Sequence, residues 1–173
     1  MTVGELEERS APIELVDYDP QWPVEFAMLE DEIRRALGPR ALAVEHVGST
    51  SVPGLSAKPI IDILLVVADS ADEPAYVPPL QAAGYTLRIR EPDWHEHRMF
   101  RRRSPNINLH VFSPDSPEVG RLLAFRDHLR ADAADRELYE TTKRRLARRQ
   151  WKYTQDYADA KSEVVEEILA RAL

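Results

Sequence analysis

The chain has 173 residues, with 23 lysines and arginines against 30 aspartates and glutamates (net charge −7), 43% hydrophobic residues and no cysteine. That length and balance fit one globular domain over residues 1–173 with a substantial core, and the missing cysteines exclude disulfides, thiolate catalysis and cysteine-ligated zinc. The net acidity argues against nonspecific nucleic-acid binding, no apolar run approaches the ~20 residues of a membrane span, and no basic start with an apolar stretch marks a secretory signal, so a cytoplasmic protein is expected.

Residues 1–11 read as a flexible lead-in. Asp19-Pro20 then signals a helix start, and Trp22, Phe26, Leu29, Ile33 and Leu37 recur at three- and four-residue intervals up to Gly38-Pro39, an amphipathic helix with a stop. Short apolar strands are expected at about 41–47 and 60–67, and a helix at roughly 74–83 ended by Gly84. Alternation marks strands at Tyr85–Arg90, less cleanly at Met99–Arg103, and at Asn106–Phe112, where Asn108, His110 and Phe112 share one face. Ser116-Pro117 opens a helix to about Ala131, followed by helices at Asp132–Arg149 and Gln155–Ala172. The pattern predicts an α+β (α/β-like) domain: a mixed sheet of about four or five strands, with residues 116–173 as a helical C-terminal cap.

The most informative stretch is EHVGSTSVPGLSAKPIIDILLV, from Glu45 to Val66. A glycine-serine turn after a strand exposes backbone N–H groups, and a helix beginning there would add its positive dipole end, so Gly48, Ser49 and Thr50 form a candidate anion cradle. Asp62 is an isolated carboxylate in an apolar strand, and it would cost several kcal/mol without a cation or strong donors beside it. Lys58 is a candidate counter-ion for Asp62, or a donor to the same anion.

Charge is distributed unevenly. Residues 1–40 hold ten acids against four bases, Lys143–Lys152 holds six bases and no acid, and residues 84–103 hold six arginines against three acids. Such runs are commonly solvated surfaces. The sharper expectation is that Arg98, with Arg101 and Arg88, lines an anion site beside the glycine turn.

The HVGSTSVPGLSAKPIIDILLV block resembles the signature of the GrpB-like proteins of the nucleotidyltransferase superfamily. The resemblance extends to IELVDYDPQWPVEFAMLEDEI, RMFRRR, NLHVF, FRDHLRADAADRELYETTKRRLA and YADAKSEVVEEIL. It implies a nucleotidyltransferase-like sheet and a cytoplasmic nucleotide-binding, metal-binding protein of transferase type. Its ligand would be a nucleotide or another phosphorylated small molecule, held with a divalent metal (Mg or Mn). The superfamily pattern is a Gly-Ser turn, about a dozen residues, acidic–apolar–acidic on a strand, and a third acid on a later strand. Gly48-Ser49 and Asp62 fit that pattern. Leu64 stands in the second acidic place, and Asn108 and His110 stand where the third acid is expected.

Two-metal phosphoryl transfer needs carboxylates for both ions, so three readings stay open. Asp62 and His110 could serve as catalytic and metal-binding residues in nucleotidyl transfer, the fold could carry a decayed transferase that only binds nucleotide, or His46, Asp62 and His110 could form a mononuclear site of other chemistry. An acid restored at position 64 would share the face of Asp62 and be expected to bind metal with it. His95-Glu96-His97 has an H-x-H pattern but is read as loop. Tyr139 and Lys143, and Tyr153, Tyr157 and Lys161, fall at four-residue helical spacing. Packing and solvation account for them, unless the cap closes over the sheet and brings Lys143 or Lys161 to a phosphate. The family also resembles modules fused to a coenzyme A biosynthetic kinase, which implies an accessory role near nucleotide metabolism.

Overall fold

The computed structural model describes residues 14–148 and 154–173, with side chains in 154–160 left aside. The lead-in at 1–11, Tyr153 and the Tyr157 side chain lie outside the described residues. Helix α1 (Gln21–Leu37) buries Trp22, Leu29, Ile33 and Leu37 along one stripe, and the Asp19 carboxylate accepts the Gln21 N–H at its start. Strands β1 (Ala43–Val47) and β2 (Ile61–Val66) follow, then a short helix α2 (Val77–Ala82). Strands β3 (Thr86–Glu91), β4 (His97–Arg102) and β5 (Ile107–Phe112) precede helices α3 (Pro117–Ala131), α4 (Ala133–Ala147) and α5 (Thr154–Ala172). Ser116 and Asp132 cap α3 and α4 by accepting the Glu118 and Asp135 N–H groups, the partners that the first helical turn otherwise lacks.

The five strands form one mixed sheet in the order β1-β2-β5-β4-β3, in which only β2 and β5 run parallel. Side-chain alternation divides it into two faces. On one face Ile61, Ile63, Leu65, Phe100, Ile107, Leu109 and Val111 pack with Trp22, Leu29, Ile33 and Leu37 of α1 and Leu80 of α2 in the main core. On the other, Val47, Leu64, Val66 and Phe112 pack under Val119, Leu122 and Leu123 of α3. A third cluster joins the cap to the loop after β1: Val52 and Leu55 pack with Leu129, Tyr139, Val164 and Ile168. The α+β class and the helical cover over the C-terminal third agree with the sequence pattern.

Two local expectations are corrected. The turn after β1 opens no long helix; Ser49–Ser51 forms a single 3-10 turn before the chain extends at Val52, so the dipole of a long helix is not available there. Strand β4 begins at His97, two residues earlier than alternation indicated, which moves His97 from the expected loop into the sheet. Among the described residues no helix is long and apolar enough to cross a membrane.

Candidate functional site

Gly48 has φ 77° and ψ −163°, a combination open essentially to glycine alone. A Cβ built there would lie 2.7 Å from Asp62 Oδ2 and 3.1 Å from Asp62 Cβ. The Gly48-Ser49 turn and the strand carboxylate, with twelve residues between them in the chain, are therefore in direct contact. Antiparallel register puts Val47 opposite Asp62, which brings the turn over the start of β2.

Ser49 and Thr50, expected to act together, point to different tasks. The Thr50 side chain is buried; it donates to Ile60 O at 3.0 Å and accepts from His46 Nε2 at 2.9 Å. Thr50 thus ties the turn to the strand beneath it, a correction to its expected place in the anion cradle. Ser49 is half-exposed, and its Oγ accepts from Lys143 Nζ at 3.1 Å. Lys143 is only 2% exposed. It reaches in from α4, donates also to Ser56 O at 2.7 Å and lies over the Tyr139 ring. Burial pushes its pKa down to about 7, with Lys161 the next cause and Lys58 and Arg144 further contributors. Lys161 from α5 and Lys58 from the loop thus lie close enough to disfavour the Lys143 charge, which Glu140 favours.

The cap is tied to the same loop. The Ser56 N–H donates to Glu140, Arg144 donates to Ser56 Oγ, and Arg130 Nε donates to Ser51 O.

On the sheet, Asp62 pairs with Asn108, and Asn108 pairs with Arg101, so this row of side chains shares one face at the edge of the α3 cover. His110 Nε2 lies 3.5 Å from Asp62 Oδ1, with both side chains about 30% exposed or less. Behind His110, its Nδ1 meets His97 Nε2 at 3.2 Å, and His97 Nδ1 meets Glu91 Oε1 at 2.7 Å. The two imidazole planes lie within 16° of each other, and His97 also stacks on Phe112. Burial, followed by the charge of His110, lowers the His97 pKa to about 4. Asp62 and His110 are therefore brought together as expected. His97 and Glu91 were not foreseen as site residues; the H-x-H spacing was visible, but the strand assignment was missed.

Other expected partners are elsewhere. His46 alternates to the opposite face, stacked on Phe26 and bonded to Thr50, and burial lowers its pKa to about 4. A centre built from His46, Asp62 and His110 on one face of the sheet is thus not formed. Arg98 is buried on the α1/α2 side, where it donates to Glu73 at 2.7 Å and to Glu96 at 3.2 Å. Glu73 also binds Arg90, and these arginine hydrogen bonds help hold its pKa down to about 2. This ion cluster is the reason Arg98 does not line the glycine turn; Arg101 is the arginine on the Asp62 face. Leu64 shares that face with Asp62, as alternation requires, but it is 0% exposed beneath α3. Its place in the pattern is sealed.

A separate His128–Asp132–Asp135 group joins the cap helices. Arg171 and His128 both donate to the Asp135 carboxylate, and Asp132 caps α4. Those bonds hold the helix ends together.

The arrangement of a mixed sheet, a Gly-Ser turn over an acidic strand and a helical cap defines a nucleotidyltransferase-like fold. A solved GLD-2/RNP-8 complex matches with a TM-score of 0.58, 13% identity, and 89% of this chain and 60% of that chain covered. The protein belongs to the GrpB family: the model described as GrpB protein matches residues 12–171. The GrpB crystal structure from Enterococcus faecalis matches with a TM-score of 0.76 and 30% identity, covering 91% of this chain and 98% of that one. The UPF0157 protein BH1888 of Halalkalibacterium halodurans is 60% identical over 172 residues, 99% of this chain and 88% of that protein. The dephospho-CoA kinase of Mycolicibacterium paratuberculosis is 34% identical over 80% of this chain, which spans 40% of that protein.

Proposed function

We propose that this protein binds a nucleotide or another phosphorylated small molecule, with its phosphates at Gly48-Ser49 and a divalent cation at Asp62 and His110, as a cytoplasmic protein. The observation that carries the reading is Ser49 Oγ held by the buried Lys143, beside a glycine pressed against Asp62. A phosphate there would meet a hydroxyl and the Lys143 amine bonded to it. The nucleotidyltransferase-like fold and the likeness to part of dephospho-CoA kinases favour nucleotide-derived ligands.

The ligand set fits one cation. Asp62 supplies oxygen and His110 supplies nitrogen, whereas the place of the second carboxylate is Leu64 under α3. Two-ion transfer needs further carboxylates, so binding is the primary function proposed. A bound cation would neutralise phosphate charge against Asp62. A second reading, nucleotidyl transfer, leaves the cation to Asp62 alone and frees the neighbouring His110 imidazole to take a proton from an entering hydroxyl.

The test is calorimetric titration with ATP, UTP and dephospho-CoA, each with Mn²⁺ and with chelator, on wild type and Lys143→Met. Binding that needs metal and is lost in Lys143→Met is expected. Equal binding by wild type and Lys143→Met would place the phosphate site elsewhere.

A further inference from the structure

This inference rests on the reading that Asp62 and His110 hold a cation. We infer that Glu91 and His97 are positioning residues that fix His110 with the bare lone pair of Nε2 facing Asp62, so that the seat takes a transition metal of the Mn²⁺ or Zn²⁺ kind in preference to Mg²⁺.

The argument follows the protons. A carboxylate only accepts hydrogen bonds, so the 2.7 Å contact to Glu91 fixes the proton of His97 on Nδ1. His97 is 6% exposed, stacked on Phe112 and beside His110. A neutral imidazole carries one N–H, so His97 Nε2 is an acceptor. The 3.2 Å contact is then His110 Nδ1–H donating to His97 Nε2. In a neutral His110 ring that one proton is spent there, so Nε2 presents a lone pair.

Opposite it stands Asp62 Oδ1 at 3.5 Å, another acceptor, at a separation beyond an ordinary hydrogen bond. Two electron-pair donors that face each other without a proton between them are matched by a cation. Zinc–ligand bonds of about 2.0–2.2 Å at a tetrahedral angle place neighbouring donors roughly 3.3–3.6 Å apart. Imidazole nitrogen suits borderline transition metals, while Mg²⁺ prefers an all-oxygen shell. A metal-bound histidine commonly donates its other ring N–H to an acceptor that sets its tautomer. Here that acceptor is a second histidine, itself anchored by Glu91 on the edge strand β3.

The experiment uses full-length protein freed of metal with chelator, and no nucleotide. Long-range proton–nitrogen NMR at about pH 7.5 should show His110 with its proton on Nδ1; a proton on Nε2 overturns the inference. Calorimetry should then show Mn²⁺ and Zn²⁺ binding at least about tenfold more tightly than Mg²⁺, and Mg²⁺ binding equally well, or no metal binding at all, overturns it. His97→Phe keeps a flat ring against Phe112 but removes the acceptor. It should release the His110 tautomer and weaken Mn²⁺ and Zn²⁺ about 10–100-fold, the usual range for outer-shell partners. Should that variant misfold, Glu91→Leu at the part-exposed edge position serves instead, with the same tautomer readout. Unchanged tautomer and affinity in the folded variant overturn the positioning role. Because nucleotide is absent throughout, failure here leaves the phosphate reading standing, and failure of nucleotide binding leaves these outcomes to be judged alone.

Discussion

The two faces of the sheet are built from the same strands by the same alternation, yet they differ in kind. On the α1/α2 face, Ile61, Ile63, Leu65, Leu109 and Val111 form a continuous dry layer, and the charges that appear there are closed on one another, as in Arg90 and Arg98 on Glu73. On the α3 face, helical cover extends over Leu64, Val66 and Phe112 but leaves Asp62 and His110 partly exposed. The candidate chemistry lies where the cover ends, and the next residue along the same face of β2 is already core. An apolar strand can thus carry one partly exposed carboxylate at its uncovered end without weakening the packing two residues later.

The sharpest way to test that boundary is Leu64→Asp. Alignment to the superfamily pattern alone predicts that a metal would rescue this variant; the structure predicts the opposite. A carboxylate at position 64 would sit among Val47, Val66 and Phe112 without a partner. The expected loss is about 3–5 kcal/mol, the scale of a buried unpaired charge with loss of a buried leucine. Mn²⁺ should not restore it. Recovery of melting temperature on adding Mn²⁺ but not chelator would show that position 64 opens onto the site.

Next in size is Gly48→Ala. The positive φ and the 2.7 Å approach to Asp62 Oδ2 both oppose a methyl group, and a cost of about 2–3 kcal/mol is expected. The two causes separate in a double-mutant cycle with Asp62→Ala. Removing the carboxylate should recover about 1 kcal/mol of the Gly48→Ala loss, leaving the backbone strain. Strictly additive denaturation energies would mean that the turn and the carboxylate are not in contact.

Much of this was legible in the chain. The stripe from Trp22 to Leu37 and the alternation in β5 follow from period alone, and the Gly48–Asp62 pairing came from the spacing of the family block. What the sequence did not reveal depends on register. Arg98 and Arg101 differ by three residues, an odd number on a strand, so only one can share a face with Asp62, and the pairing of Arg101 with Asn108 decides which. Thr50 and Ser49 look equivalent as small hydroxyls; a single 3-10 turn rotates one toward Ile60 O and the other toward Lys143. Lys143 sits at ordinary helical spacing with Tyr139, and its burial becomes visible only when α4 is laid on the loop at Ser56. The extent of α3 over Leu64 is a tertiary fact with no local signature.

The lysine gives the next prediction. Its folded pKa of about 7 lies well below the ordinary lysine value. Between the two values the unfolded chain binds a proton that the folded chain does not. Stability from this group therefore rises as pH increases from about 7 toward about 10.4, with a slope of at most about 1.4 kcal/mol per pH unit. Lys143→Met should flatten that rise in urea denaturation measured across the window. A phosphate favours the charged amine, so its affinity should fall as pH rises through about 7, with proton uptake on binding measured by calorimetry in buffers of different ionisation enthalpy. An identical pH profile in Lys143→Met would sever the lysine from both effects.

The finest comparison is between Ser49 and Thr50, neighbours whose hydroxyls face different sides of the turn. Ser49→Ala removes an oxygen already bonded to Lys143 and positioned for an anion, and it leaves the turn's own closing bond, Ser51 N–H to Gly48 O, intact. Its expected effect is a loss of about 1–1.5 kcal/mol in phosphate-ligand affinity, roughly five- to tenfold, with little change in stability. Thr50→Val keeps the shape of the buried side chain but leaves Ile60 O without its donor and His46 without its acceptor. It should cost about 1–2 kcal/mol of stability while ligand affinity in the folded protein stays within about twofold. The two variants are measured side by side, by denaturation and by ATP titration with Mn²⁺. If Thr50→Val weakens binding as much as Ser49→Ala, the whole turn and not one of its faces meets the ligand, and the division between a structural hydroxyl and a binding hydroxyl fails.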